Sequence, residues 1–236
     1  MDFESRIYAL HCEAVASGKL LRNLVKRKVS RVDFEGVSYV VKAYRRKFLH
    51  KLFCVKPHSI KGSQLLDGLT PPVLADFIVG DWQINVYRDI GGPDLFDGAN
   101  LADGAEAFAD AGRLLAKIHE KRIFHADTKA PNFVVNNVLE GMPPVLIIDC
   151  DRVKKYNALS VERRAFNLAQ FICCYQNYEE ERLAPLVSTA LSAYKEQAAL
   201  DDAAFASLMK LALDIAKNNR HIEKKVSESF LRRFEK

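Results

Sequence analysis

Asp127, Lys129 and Asn132 stand within His125-Ala126-Asp127-Thr128-Lys129-Ala130-Pro131-Asn132, and a second aspartate, Asp149, closes the apolar run Val145-Leu146-Ile147-Ile148. Moving a phosphoryl group from ATP to a hydroxyl calls for such a set. It needs a carboxylate beside the attacking oxygen, a cation on the migrating phosphate and two oxygen ligands for Mg2+. Asp127 then reads as the catalytic base, Lys129 as the cation, and Asn132 and Asp149 as the metal ligands. Lys42 lies in Tyr39-Val40-Val41-Lys42-Ala43-Tyr44. A lysine in an apolar strand is expensive to bury without an anion, so it is expected on the α- and β-phosphates of the nucleotide. Asp151 reads equally well as a helper of Asp149 and as a solvated neighbour. His125 is expected to hold the loop by hydrogen bonds, whereas His11, His50, His119 and His221 show no partner pattern.

Elements with the right periodicity surround these residues. Val29 to Phe34 and Val37 to Tyr44 predict a hairpin turning at Glu35-Gly36. Residues 47–68 are basic and partly helical in pattern, ending at Gly68 and Pro71-Pro72. Val73 to Val79 and Trp82 to Ile90 predict two further strands, and Gly91-Gly92-Pro93 a hinge. Asp103 to Glu120 carries Phe108, Ala111, Leu114, Leu115 and Ile118 along one helical face. Asn132 to Val135 and Val145 to Asp149 read as short strands flanking a turn at Asn136-Asn137, and residues 160–178, 180–199, 201–217 and 219–235 as helices. The expected fold class is α+β and bilobal, with a small β-rich N-lobe over residues 1–90 and a helical C-lobe over 91–236.

The chain has 236 residues, 49% apolar and 28% charged, with a net charge of +5. That composition suits a folded soluble domain. Basic residues crowd 19–31, 42–61 and 217–236, favouring an anionic partner such as nucleotide, phosphorylated glycan or a membrane surface. Nucleic acid is not expected, and the protein is expected to be a monomer. Cys12, Cys54, Cys150, Cys173 and Cys174 show neither a disulfide nor a metal spacing, which suggests a reducing, cytoplasmic setting. The start, Met1-Asp2-Phe3-Glu4, lacks the layout of a secretory signal.

The stretch from His125 to Asn132 resembles the His-Arg-Asp-x-x-x-x-Asn loop of the protein-kinase superfamily, and Lys42 resembles its strand lysine. Three departures refine the likeness. Ser17-Gly18-Lys19 is the only trace of a glycine-rich nucleotide-covering loop, so Lys26, Arg27 or Lys28 is expected to serve it. Residues 43–75 contain no glutamate to pair with Lys42, and His58, Ser59 or Gln64 stands near the partner's place. Asp149-Cys150-Asp151-Arg152 replaces Asp-Phe-Gly, with no Ala-Pro-Glu downstream, which argues against a peptide-docking platform. Kinases of the aminoglycoside or choline type fit the length but lack a lysine at the position of Lys129.

Leu21-Arg22-Asn23-Leu24, Lys28-Val29-Ser30, Leu69-Thr70-Pro71, Leu115-Ala116-Lys117-Ile118-His119, Asn132-Phe133-Val134-Val135 and Ile147-Ile148-Asp149 together resemble the lipopolysaccharide kinase family. The N-lobe segments are most similar to its kinase of the second core heptose. The resemblance spans nearly the whole chain. It implies ATP, Mg2+, a sugar hydroxyl of the lipopolysaccharide core glycolipid as acceptor, and work at the inner face of the cytoplasmic membrane. The basic tail from Lys217 to Phe234 reads as a helix, either a solvated terminal helix or one that rests its basic side on anionic lipid or glycolipid phosphates. Asn167 stands near the family's C-lobe aspartate. Open alternatives are a kinase of another small molecule or of protein, and a pseudokinase-like binding module.

Overall fold

A computed structural model describes residues 2–46, 58–98, 104–175, 179–222 and 224–235. Cys54, His50, Asp103 and the basic stretch 47–57 lie outside them.

The hairpin forms where the valine-rich pattern places it, as β2 (Arg27–Phe34) and β3 (Val37–Arg45). Glu35 and Gly36 both take positive φ, 51° and 75°, the two-residue turn whose twist suits antiparallel strands. With β1 (Arg22–Leu24), β4 (Val73–Val79) and β5 (Trp82–Arg88) these build an antiparallel sheet ordered β1-β2-β3-β5-β4. Ile7 of α1 (Phe3–Ala16), an element the sequence reading passed over, is packed with Val32, Val41, Ala43, Ile84 and Val86. Ser17 and Gly18 simply close α1, Gly18 at a φ of 72°. The turn at the nucleotide-covering position is instead Val25-Lys26, between β1 and β2.

The glycine pair read as a free hinge belongs to β6 (Gly91–Asp94), which pairs with β8 (Phe133–Asn136), and β8 with β9 (Val145–Ile147). Backbone pairing thereby ties the linker to the strands that follow the catalytic loop. A short α3 (Leu95–Gly98) leads towards α4 (Gly104–Glu120). All five residues of the predicted apolar face of α4 are buried. β7 (Ile123–His125) pairs with β10 (Val153–Lys155), bracketing the site segment. The helices α5 (Val161–Cys173), α6 (Glu180–Gln197) and α7 (Asp202–Asn218) complete the core with α4.

The tail departs from expectation. Residues 219–235 are not one helix: among the described residues there, only α8 (Glu228–Arg232) is helical. The Asn219 side chain accepts from His221 N, an Asx turn that competes with helix continuation, and Ser227 caps the new helix by accepting from Phe230 N. Lys217 pairs with Glu235 and Lys224 with Glu228. The expected continuous basic face is therefore broken, and part of its charge is neutralised.

Candidate functional site

A cleft of about 620 Å³ opens between the N-terminal sheet and the helical part, lined from above by Val29, Val40 and Lys42 and from below by Asn132, Val134 and Asp149. Its size is within the usual range for a nucleotide-sized ligand. Lys42 sits in β3 between Val29 and Asn85 of the neighbouring strands. Its Nζ lies 5.1 Å from the centroid of the Tyr87 ring. The helix that would carry a glutamate partner is α2 (His58–Leu65). Gln64 is exposed there, and Ser63 is the buried side chain beside Tyr87. Gly62 lets α2 approach the segment after Asp149 closely, since a Cβ on it would sit 1.9 Å from the Cys150 carbonyl oxygen.

Asp149 lies past the end of β9, not on it. It takes the left-handed conformation (φ 62°, ψ 55°) and opens a single 3-10 turn, Cys150–Arg152. Non-glycine residues are strained there, and the turn aims the carboxylate at Arg27. Arg27 donates to both Asp149 oxygens, at 3.2 and 3.3 Å, and to Asp151 Oδ2 at 3.1 Å. Tyr44 donates to the other Asp151 oxygen at 3.1 Å. Burial opposes ionisation of Asp149, but Lys42 and Arg27 outweigh it and hold its pKa below the ordinary value. Burial and the charge of Asp149 raise that of Asp151. Asp151 is thus a bonded member of the cluster, not a solvated neighbour.

On the loop, Lys129 Nζ lies 3.3 Å from Asp127 Oδ1. Asn132 donates from Nδ2 to the Asp127 carbonyl at 2.8 Å and to its carboxylate at 3.1 Å. That use of the amide nitrogen leaves the amide oxygen as the acceptor that a metal would take. Ile148 N donates to Asn132 O at 2.8 Å, joining the loop to the Asp149 segment. His125 is buried, with its pKa pushed down to about 4 by burial that Asp127 and Asp149 only partly oppose. It is neutral at pH 7, and its Nδ1 accepts from Asp127 N.

Side chains of α5 and its C-cap clamp the loop: Asn167, which the sequence resemblance places near the family's C-lobe aspartate, and Gln170 and Cys174, which it leaves unassigned. Asn167, Gln170 and Cys174, spaced as one face of α5 and its C-cap, each bond a backbone group of the loop. Asn167 Nδ2 donates to His125 O at 2.7 Å, Gln170 Nε2 to Ala126 O at 3.0 Å, and Ala130 N to Cys174 Sγ at 2.9 Å. Because Asn167 donates through its nitrogen, its oxygen accepts from His119 Nε2 at 3.1 Å. His119 Nδ1 then accepts from the Tyr194 hydroxyl at 2.8 Å. His119, which showed no pattern in the sequence, is a buried link in this chain. The helical spacing 167, 170, 174 of polar residues within an apolar segment was the available signal.

The donor set fits a magnesium ion. Among the described residues no three His, Cys, Asp or Glu side chains form a ready-made cage. The Asp149 carboxylate and the Asn132 amide oxygen suit instead the kind of site that borrows phosphate oxygens and keeps water. The Arg27 guanidinium already stands on Asp149 and Asp151 and balances their charge.

An N-terminal antiparallel sheet carrying a lysine, a helical C-terminal part, and a loop–strand–aspartate floor between them define the protein-kinase-like fold class. Among solved structures, WaaP in complex with acyl carrier protein matches this chain with a TM-score of 0.50 and 18% identity, over 86% of this chain and 91% of that one. At that identity the likeness is one of fold. No family model matches the sequence, and no curated protein matches it.

Proposed function

We propose that the protein is an ATP-dependent kinase that phosphorylates a sugar hydroxyl, a heptose, of the lipopolysaccharide inner core. The observation that carries the phosphotransfer part is the joined floor of the cleft. Asn132 and Asp149 line it together with Lys42, and Asn132 donates to the carboxylate of Asp127, which is not itself among the lining residues. Ile148 N donates to Asn132 O, on a loop fastened by buried bonds to α5. Asp127 would orient the acceptor hydroxyl and take its proton, an effect worth about 100- to 10,000-fold. Asn132 would hold Asp127 in place through its nitrogen and offer its oxygen, with the Asp149 carboxylate, to Mg2+. Lys42 would pair the α- and β-phosphates, and Lys129, beside Asp127, would steady the transferred group. Bound Mg2+ would supply neutralisation of phosphate charge.

The short path after Asp149 favours a small or glycan acceptor over a peptide. The 3-10 turn and β10 give way to α5 at Val161, so the segment that docks peptides in protein kinases is missing from the described residues. The heptose rests on the sequence resemblance, and the fold likeness to WaaP supports the scaffold. We place the enzyme in the cytoplasm, as a monomer in peripheral contact with the inner membrane face. Among the described residues no helix is long and apolar enough to cross a membrane.

One observation favours a second reading, a nucleotide-binding module without turnover: Arg27 closes both oxygens of Asp149. Incubating core glycan with ATP, Mg2+ and enzyme separates the two. The expected result is one added phosphate by mass, localised to heptose by fragmentation and absent with Asp127→Asn. Nucleotide binding without any phosphorylated product selects the module. Phosphate on protein but not on glycan rejects the sugar acceptor.

A further inference from the structure

The turn facing the cleft from the N-terminal sheet carries no glycine: it runs Leu24-Val25-Lys26-Arg27. Glycine-rich turns bind phosphate through converging backbone N–H groups, because no side chain keeps the anion away. Here every residue bears one, which hinders close backbone approach and makes a side chain the better phosphate ligand from this turn. Arg27 is the first residue after it, and its guanidinium lines the cleft.

That guanidinium occupies both oxygens of Asp149 and one of Asp151. Its position is framed by the Tyr44 ring, whose centroid lies 5.9 Å from the guanidinium carbon, and by the Tyr44 hydroxyl bond to Asp151. Mg2+ takes oxygens at about 2.0–2.1 Å, and a divalent cation that close to Asp149 repels the guanidinium standing on the same two oxygens at 3.2 and 3.3 Å. Metal entry therefore favours release of Asp149 by Arg27. β1, which supports the turn, is an edge strand of the sheet and is exposed throughout, so little side-chain packing holds the turn in place. A displaced guanidinium at the cleft wall suits phosphate as well as carboxylate, since its planar fork matches both.

We propose that Arg27 is an exchange cation. It closes Asp149 and Asp151 while the cleft is without nucleotide and yields Asp149 to the metal as nucleotide enters. It then binds the nucleotide phosphates in place of a glycine-rich turn. The proposal rests on the nucleotide reading above and adds to it a residue that competes with the metal before it assists the phosphate.

Removing Arg27 must then act on metal and phosphate in opposite directions, which a merely structural ion pair would not do. The test titrates fluorescent ATP and adenosine analogues against wild type, Arg27→Gln and Arg27→Lys, each across a range of Mg2+. Arg27→Gln is expected to weaken ATP about tenfold, as for one lost charge-assisted contact. It should leave adenosine unchanged and lower the Mg2+ midpoint for ATP binding several-fold. Arg27→Lys should recover part of the ATP affinity, because the charge remains, while the Mg2+ midpoint stays low, because the bidentate grip is lost. Should Arg27→Gln not fold, the Arg27→Lys pair of shifts decides alone. Equal weakening of ATP and adenosine, or an unchanged or raised Mg2+ midpoint, overturns the exchange. Wild-type protein that binds neither analogue removes the nucleotide reading and this proposal with it. Binding of both without discrimination by the variants removes only the proposal.

Discussion

Asn167→Asp tests whether the catalytic loop is held as its hydrogen bonds indicate. The substitution keeps the size of the side chain and its acceptor towards His119 Nε2, 3.1 Å away. It replaces the Nδ2 donor with an oxygen lone pair aimed at the His125 carbonyl oxygen, which Nδ2 now meets at 2.7 Å. Both Asn167 and His125 are buried, so water cannot replace the lost donor. An unsatisfied buried carbonyl costs about 1–3 kcal/mol. The buried charge adds to this, and proton uptake by His119 offsets part of it, leaving a net loss of about 2–4 kcal/mol at neutral pH.

The introduced carboxyl gains a donor when protonated, so its pKa in the fold is raised above the unfolded value near 3.9. The penalty is accordingly small below that value, grows as the pH rises, and levels off past the raised pKa. Urea unfolding of wild type and variant at pH 5 and pH 8 measures the difference, with equal m-values as the control. Turnover should fall by about 100-fold through displacement of Asp127. Asn167→Leu, which loses both bonds and gains no charge, should be destabilised without this added pH dependence. An Asn167→Asp variant as stable as wild type at pH 8 would refute the reasoning. The loop would then present an N–H group, not the His125 carbonyl, to this position.

Three further outcomes are expected. Asp127→Asn should lower turnover by about 100- to 10,000-fold with little change in nucleotide affinity, read by single-turnover transfer beside equilibrium binding; a proportionate loss of affinity would assign Asp127 to nucleotide binding. His119 and His125 have pKa values pushed down to about 4 by burial, so each supports the fold fully above about 6.5 and loses that support as the pH falls towards 4. The effect is about 3 kcal/mol per histidine, and denaturation midpoints of wild type and His119→Gln across this range should show a shallower acid loss in the variant. Gly62→Ala would force a Cβ against the Cys150 carbonyl, costing about 1–3 kcal/mol as overpacking and weakening metal-dependent nucleotide binding through the displaced Asp149 turn; thermal melts and the Mg2+ midpoint check both effects.

Features that depend on near neighbours in the chain were readable from the sequence. The β2–β3 hairpin follows from alternating apolar residues and a Glu-Gly turn, and α4 from apolar positions at helical spacing. The loop from His125 to Asn132 and Asp149 stood out because their spacing is itself chemical; the structure places Asn132 and Asp149 in the cleft lining, with Asp127 bonded to the Asn132 side chain. α1 was missed because its buried side is narrow, with Ile7 and His11 its only buried residues.

Tertiary structure alone decided what lies against these groups. Arg27 meets Asp149 across 122 residues of chain, and Asn167 meets His125 across 42. No local periodicity records such pairings. The turn at Asn219 and the cap at Ser227 likewise broke a tail whose composition alone favoured helix. The sequence by itself singled out the groups that the phosphoryl-transfer reading uses. Which cation stands on Asp149 and Asp151, and which backbone groups of the His125–Asn132 loop the α5 side chains hold, followed only from packing, because both depend on distances between segments remote in the chain.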